Sequence, residues 1–547
     1  MKRTCAVKEK LPSQKGLFIN DSISITQQGY ILKSKYIKPS FLIPAAAMLY
    51  AVIAVIIYPV FRTDDLLLFY IIKFSKGLVS NNSSEDFFLF YRPLSFIYFK
   101  LTYFLSGENP AVMKLFNITL FTAYSIILIK IFESLSSIFK LENTSKTIII
   151  ASGILILSPD TLQMIIWIAN TNELLMCLCY ACALYVFLKF GLNTAKHTIL
   201  FWFFYFLSIG FKQQSLHLPI LIGMLMLLPQ FSATYKKSRA YAYIAAGLIV
   251  SAGVSLFYSS SGYDSGLLLA SLWKKPFSLF GTGLFIVFPL GARELYNYFL
   301  LNKSSVALSL LVIIPAIYYL VKLMGWRKLL LGTLLILVVF FPRILGYGGE
   351  RINSIQLLWF SIAVYLILSR YTNHKLILTA IASILVIVNL SASVVKINDF
   401  KVTQHSEEKK ISEIASIIGN NPNNFLLVST DNFFLFNYQY YYYMNAIIGK
   451  SDITCTPLKL EASYLSLSDA PFYSCRLTAD TLTANNTNPL ATLYFDTASP
   501  NFEDYKIISF KKNRFMRDNE ELSFRIPAEL MNRSILYHDG VRWQRLK

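Results

Sequence analysis

Residues 41–65, FLIPAAAMLYAVIAVIIYPVFRTDD, decide how the rest of the chain reads. The run 41–60 carries no charge, and at ~1.5 Å of rise per helical residue it is long enough to cross the ~30 Å hydrocarbon core of a bilayer. Ahead of it stand Lys2, Arg3, Lys8, Lys10, Lys15, Lys33, Lys35 and Lys38, the kind of basic flank that stays in the cytoplasm when a helix inserts. That polar lead is too long for a cleaved signal peptide. Residues 1–38 therefore read as a cytoplasmic basic N-terminus, and Phe61 onward as delivered to the far side, where Arg62, Thr63, Asp64 and Asp65 come first.

Composition points the same way. Of 547 residues, 55% are hydrophobic and 15% charged, more apolar surface than one soluble core hides, and lipid is the solvent that accepts it. The formal charge of +20 does not indicate nucleic acid, because the Lys and Arg residues fall in short clusters between apolar runs, where a membrane protein keeps its cytoplasmic loops. Further spans, each of ~17–25 mostly apolar residues, read near 109–137, 147–169, 173–190, 198–212, 216–231, 240–259, 305–322, 329–342, 354–370 and 375–395. This register puts Lys140 with Lys146, Lys189 with Lys196, Lys236 with Lys237 and Arg239, Arg327 with Lys328, and Arg370 with Lys375 on the cytoplasmic side. The apolar stretch 277–291 reads as re-entrant or interfacial, since a full crossing there inverts every later loop. The expected fold is a polytopic α-helical membrane protein of about eleven transmembrane helices, with a membrane module over 39–396 and a first external loop over 61–108.

After Val395 the apolar runs stop, and turn signals such as Asn420-Asn421-Pro422-Asn423 appear. Glu407 to Ile418 reads as an amphipathic helix, and 425–429, 493–495 and 505–510 as strands. Residues 397–547 are thus expected to form a small α/β soluble domain, extra-cytoplasmic in this register. No helical repeat of about 34 residues is visible there. Cys455 and Cys475 lie in this tail, where an oxidising compartment allows a disulfide. Cys177, Cys179 and Cys182 fall inside one apolar span and read as packing side chains, without zinc-site spacing.

Asp64 and Asp65 admit two readings. They can cap the apolar run that follows, or a carboxylate at this position can act as a general base toward a hydroxyl. Their company favours chemistry. Tyr91-Arg92-Pro93-Leu94 follows Glu85 and Asp86 on the same external stretch; Lys212 stands between two spans, followed by Gln213, Gln214 and His217; Arg343 and the run Gly348-Gly349-Glu350-Arg351-Ile352-Asn353 occupy another external junction. Each cation alone also fits snorkelling to head groups. Together they suit a substrate with a phosphate and a sugar: Arg and Lys hold phosphate oxygens and stabilise the leaving group, while a carboxylate deprotonates the incoming hydroxyl. No dedicated metal cage is read, and an acid cluster alone does not separate base catalysis from binding of a divalent cation, which stays open as a cofactor. The aromatic run 438–443 either stacks sugars or packs in a core.

Taken in order, these residues resemble the GT-C glycosyltransferases, and among them the protein O-mannosyltransferase type. The resemblance is carried by Asp64-Asp65 after the first span, Tyr91-Arg92-Pro93-Leu94, Gly107-Glu108-Asn109-Pro110 leading to Asn117, Ser158-Pro159 with Trp167-Ile168-Ala169, Lys212 before Pro219, and Glu350-Arg351 before a span, over roughly residues 40–370. It implies a polyprenyl-phosphate-sugar donor and an inverting transfer outside the cytoplasm. Asp64 is then the base with Asp65 beside it, Arg92, Lys212 and Arg351 meet the donor phosphate, and Tyr91, Glu173, His217 and Glu350 meet substrate. The chain departs from the pattern at Thr171 and Glu173, where relatives usually carry Arg and Asp, and at Gln213, where they often carry Glu after the Lys. The expected acceptor is an O-antigen, lipopolysaccharide or other cell-envelope glycan at a bacterial inner membrane, with the tail periplasmic; a protein hydroxyl stays open. A lipid-linked substrate transporter is the reading from another class, disfavoured because no internal repeat is evident and the charges stand at span ends.

Overall fold

The computed structural model describes residues 39–59, 93–107, 109–141, 145–232, 234–260, 289, 334–335, 337–339, 353–370 and 375–418, nine strands between 425 and 545, and Leu546. The helices are α1 (Pro39–Ile57), α2 (Pro93–Ser106), α3 (Pro110–Phe139), α4 (Ser145–Ile156), α5 (Pro159–Ile166), α6 (Thr171–Phe190), α7 (Ala195–Phe211), α8 (Leu218–Met226), α9 (Pro229–Ser232), α10 (Lys237–Ser260), α11 (Ser354–Arg370) and α12 (Lys375–Ile418). Two 3-10 turns, Ile168–Asn170 and Gln213–His217, lead into α6 and α8. Four of the described helical segments, Pro39–Ile57, Pro110–Phe139, Ile168–Phe190 and Leu376–Val402, are long and apolar enough to cross a bilayer; α4 and α5 make a fifth if their 60° bend is one span. The chain is a helical membrane protein.

Local sequence explains the boundaries. Pro110 opens α3 and Asn109 caps it, its side chain accepting from the amides of Ala111 at 3.0 Å and Val112 at 3.3 Å. Proline suits that first turn because its missing N–H has no intrahelical partner there anyway. The segment 147–169, expected as one span, is broken at Leu157–Ser158. Ser158 takes an extended conformation and caps α5 by accepting from Thr161 N at 3.1 Å, while Pro159 starts the new helix. Glu407–Ile418 is not a separate helix either, but the end of the 44-residue α12. The expected span 305–322 lies outside the described residues, as does 277–291 apart from Pro289.

Burial separates the central helices from those that face lipid. In the apolar window of Ile168–Phe190, which contains α6, 72% of residues are buried, against 33% for α1 and 22% for α12. Exposed Phe41, Ile56, Leu376 and Ile387 on the outer helices present aliphatic and aromatic surface, which a bilayer solvates without penalty. Without a hydrophobic drive between helices in lipid, close approach depends on small residues. Ala47, Ala51 and Ala54 form such a face on α1 and are fully buried in the bundle, where α3, α4 and α5 are the neighbours of α1.

α3 and α6 run side by side in the same direction, Asn117 meeting Thr171 near their starts. α7 returns along α6, with Ser208 Oγ donating to Met176 O at 3.0 Å. α11 packs mainly on α4, where Ser361 Oγ donates to Ala151 O, and reaches α3 and α6 as well, the Phe132 and Tyr365 rings stacking with centroids 4.7 Å apart and Trp359 donating to Tyr180. α12 passes the α4–α5 break, where Ser393 Oγ donates to Leu157 O at 2.8 Å, and meets Tyr58 through Phe400, ring centroids 6.0 Å apart. It then continues for 18 residues to Ile418, about 27 Å of helix.

The strands beyond α12 form two sheets. The first, ordered β5-β2-β1-β8-β9, has β1 (Phe425–Ser429) parallel to both β2 (Thr456–Glu461) and β8 (Ser534–His538), with β5 (Tyr494–Phe495) and β9 (Trp543–Arg545) as antiparallel edges. The second is antiparallel, ordered β3-β4-β7-β6, from β3 (Tyr473–Thr478), β4 (Thr481–Asn486), β6 (Lys506–Lys512) and β7 (Asn519–Arg525).

α8 and α10 meet almost backbone to backbone. A Cβ on Gly223 falls 2.6 Å from Ala240 O and 3.1 Å from Ile244 N, and one on Gly247 falls 3.0 Å from Ile220 N. Gly223→Val is therefore expected to lower stability by about 1–3 kcal/mol through overpacking, measured as a fall in the thermal unfolding midpoint in detergent; an unchanged midpoint contradicts this contact.

Candidate functional site

A charge inside an apolar helix bundle persists only with a partner. Two of the residues expected at the site supply that pairing for each other. Glu173 stands in the first turn of α6 and Lys212 is the residue that ends α7, in extended backbone at φ −164°. The Lys212 ammonium donates a hydrogen bond to Glu173 Oε1. Glu173 keeps 2% of its side chain exposed and Lys212 keeps 11%, so the cation is the partner nearer to open space. The Lys212 carbonyl accepts from Ser215 Oγ at 3.3 Å, and its amide closes the last turn of α7 on Ser208 O at 3.0 Å.

His217 lies one turn further on. Its Nδ1 is 2.9 Å from Gln214 O and its Nε2 3.1 Å from the Tyr180 hydroxyl. A carbonyl only accepts, so Nδ1 carries the proton and Nε2 accepts from Tyr180. Tyr180 in turn accepts from the indole Nε1–H of Trp359 at 2.8 Å. This donor chain from Trp359 through Tyr180 to His217 fixes a neutral imidazole and ties α11, α6 and the Gln213–His217 turn together. Sequence spacing alone did not group these three residues.

Other helix ends arrive beside the ion pair. Ser95 Oγ, two residues into α2, donates to Phe211 O at 3.0 Å, and Leu94 packs where a Cβ on Gly210 would stand, its Cδ1 2.6 Å from that position. Ser354, the first residue of α11, lies beside the Cys177 thiol, which is itself close to Glu173 and Lys212. Asn117 of α3 donates to Ile165 O at 3.0 Å and accepts from Thr171 Oγ1 at 2.8 Å, holding the break between α5 and α6 in place. Thr171 thus has a structural partner in Asn117.

Lys114, not singled out from the sequence, is fully buried one turn before Asn117 and donates to Tyr58 O at 2.7 Å, its ammonium 4.8 Å from the Tyr58 ring centre. Tyr58 immediately follows α1, so a cation satisfies the carbonyl end of that helix, as the helix dipole favours. A lysine four residues into an apolar helix was the signal available in the sequence.

Asp64, Asp65, Tyr91, Arg92, Glu350, Arg351 and Cys455 lie outside the described residues. Cys475 is on β3, in register with Ala484 of β4. Cys177, Cys179 and Cys182 are free thiols in α6. No protein-family model, no curated protein and no solved structure matches this chain.

Removing one partner of a buried ion pair leaves the other charge stranded. Lys212→Met is expected to destabilise the protein by about 3–5 kcal/mol, and Glu173→Gln combined with Lys212→Met to recover most of that loss. Thermal unfolding in detergent measures both; a double variant no more stable than the single one contradicts the pairing.

Proposed function

We propose that the chain transfers a sugar from a polyprenyl-phosphate-linked donor to a hydroxyl of an extra-cytoplasmic acceptor, an O-antigen, lipopolysaccharide or other glycan of a bacterial cell envelope. In this reading the protein crosses the inner membrane about eleven times, with its N-terminus in the cytoplasm and its α/β tail in the periplasm. The observation that carries it is the gathering of polar helix ends around the Glu173–Lys212 pair. Two of these ends stand directly after expected site residues in the sequence: α2 follows Tyr91-Arg92, and α11 follows Glu350-Arg351 by two residues.

The roles follow from charge. The acceptor oxygen attacks the anomeric carbon from the face opposite the phosphate while Asp64 takes its proton, with Asp65 orienting that carboxylate. The bond from the anomeric carbon to the phosphate oxygen breaks, configuration inverts, and polyprenyl phosphate leaves with one more negative charge. Lys212, Arg92 and Arg351 stabilise that charge as it grows, which lowers the barrier because the interaction is stronger in the transition state than before it. Glu173 acts as a positioning residue, holding the lysine ammonium in one place. Tyr91 and Glu350 are assigned to substrate; His217, expected there from the sequence, has both ring nitrogens engaged and is assigned instead to holding the Gln213–His217 turn behind Lys212. The lipid tail of the donor remains in the bilayer, which accounts for a site set among apolar helices.

Asp64→Asn removes the base and keeps the shape. Sugar transfer from a polyprenyl-phosphate sugar by the purified variant in vesicles is expected to fall by about 10²–10⁴-fold, with the unfolding midpoint unchanged; normal transfer by both Asp64→Asn and Asp65→Asn overturns the assignment.

A further inference from the structure

At the far end of the bundle from the Glu173–Lys212 pair, side chains of α3 and α6 line a partly open cavity of about 330 Å³, with Lys130 and Glu133 half-exposed at it. Lys130, Glu133, Ser134 and Ser137 of α3 and Tyr185 and Lys189 of α6 supply its polar lining. None of these has a part in the sugar-transfer reading. The volume is at the lower end for a small-molecule site, enough for a head group rather than a whole lipid.

Its charge is specific. Lys130 Nζ binds Glu133 Oε2 at 2.8 Å, so that pair neutralises itself, and Lys189 in the last turn of α6 adds a further cation. Two lysines against one glutamate leave one net positive charge. Ser134 Oγ is already committed to Lys130 O at 2.7 Å, while Tyr185 and Ser137 bring hydroxyl groups to the wall. Lysines between membrane helices attract anionic head groups when they stand at the depth of the interface. Lys130 is ten residues before Lys140, the C-cap of α3, and Lys189 is one residue before the end of α6. On the orientation proposed above, this is the cytoplasmic interface.

We infer that the cavity between Lys130 and Lys189 binds a phosphate group carrying one net negative charge, with Glu133 setting that limit. The head group of an acidic phospholipid with one net negative charge and the dihydrogen phosphate monoanion, titrated at a pH of about 6 where it dominates, share this chemistry; the net-neutral head group of phosphatidylcholine does not. The inference does not depend on sugar transfer and stands if that reading fails.

The test uses the full chain in phosphatidylcholine nanodiscs, titrated with short-chain phosphatidylglycerol or with inorganic phosphate, reading the thermal unfolding midpoint. A rise with phosphatidylglycerol alone assigns the site to lipid, and a rise with inorganic phosphate as well assigns it to phosphate from either source; both support the inference. The apparent affinity is expected to weaken about fivefold for each of Lys130→Gln and Lys189→Gln and to strengthen for Glu133→Gln, which leaves both lysines unopposed. No rise with either ligand overturns the inference. So does a rise of the same size and affinity in all three variants, because that is what general surface charge produces. The gain expected for Glu133→Gln cannot be produced by misfolding.

Discussion

A carboxylate and an ammonium taken out of water each carry a desolvation penalty of several kcal/mol, and they persist only when geometry lets them compensate each other. The Glu173–Lys212 pair is that case, and much of the bundle is arranged around it. It joins the first turn of α6 to the last residue of α7, so both helices must end at the same depth. The extended backbone at Lys212 then turns the chain into Gln213–His217, which the donor chain from Trp359 through Tyr180 fastens to α11. Apolar packing alone, which is nearly indifferent to sliding one helix along another, does not set such a register.

The same end of the bundle collects features that are costly in a membrane: a break between α5 and α6 bridged by Asn117, a fully buried Lys114 on the carbonyl end of α1, and extended backbone between α7 and α8. Non-helical backbone at this depth is tolerated only where protein satisfies it or where it lines a cavity. The opposite end of α3 and α6 has regular helix and a partly open polar cavity instead. The two ends of one helix pair therefore differ in kind, one holding a buried, paired charge among broken helix ends and the other a lysine-lined recess.

Much of this helical frame was legible from length and apolarity. Residues 109–137, 173–190 and 354–370 correspond to α3, α6 and α11 within a few residues, because a bilayer imposes a minimum length that no soluble core does. The break at Leu157–Ser158 was missed because hydropathy continues through it; the cue was Ser158-Pro159, a cap followed by a residue that begins a helix but cannot continue one. The unbroken course of α12 into Ile418 was missed because a change in hydropathy resembles a boundary although helix propensity does not change there. In the tail, β1 was read at its observed limits, yet its parallel partners β2 and β8 lie far away in sequence, and no local pattern encodes such pairing. At the site, Lys212, Glu173 and His217 were visible as polar residues at span ends. That Lys212 and Glu173 pair with each other, across 39 residues, was not visible, because it depends on which helices become neighbours.

The central claim is that Lys212, steadied by Glu173, is a cation for the donor phosphate. The measurement that addresses it most directly is the affinity of a polyprenyl-phosphate sugar for the native protein and for the Glu173→Gln, Lys212→Met double variant, which keeps the bundle charge-balanced. The account predicts that the double variant binds at least about tenfold more weakly, the loss of one charge-assisted hydrogen bond, while its unfolding midpoint stays near that of the native protein. Equal affinity in the two proteins would contradict it.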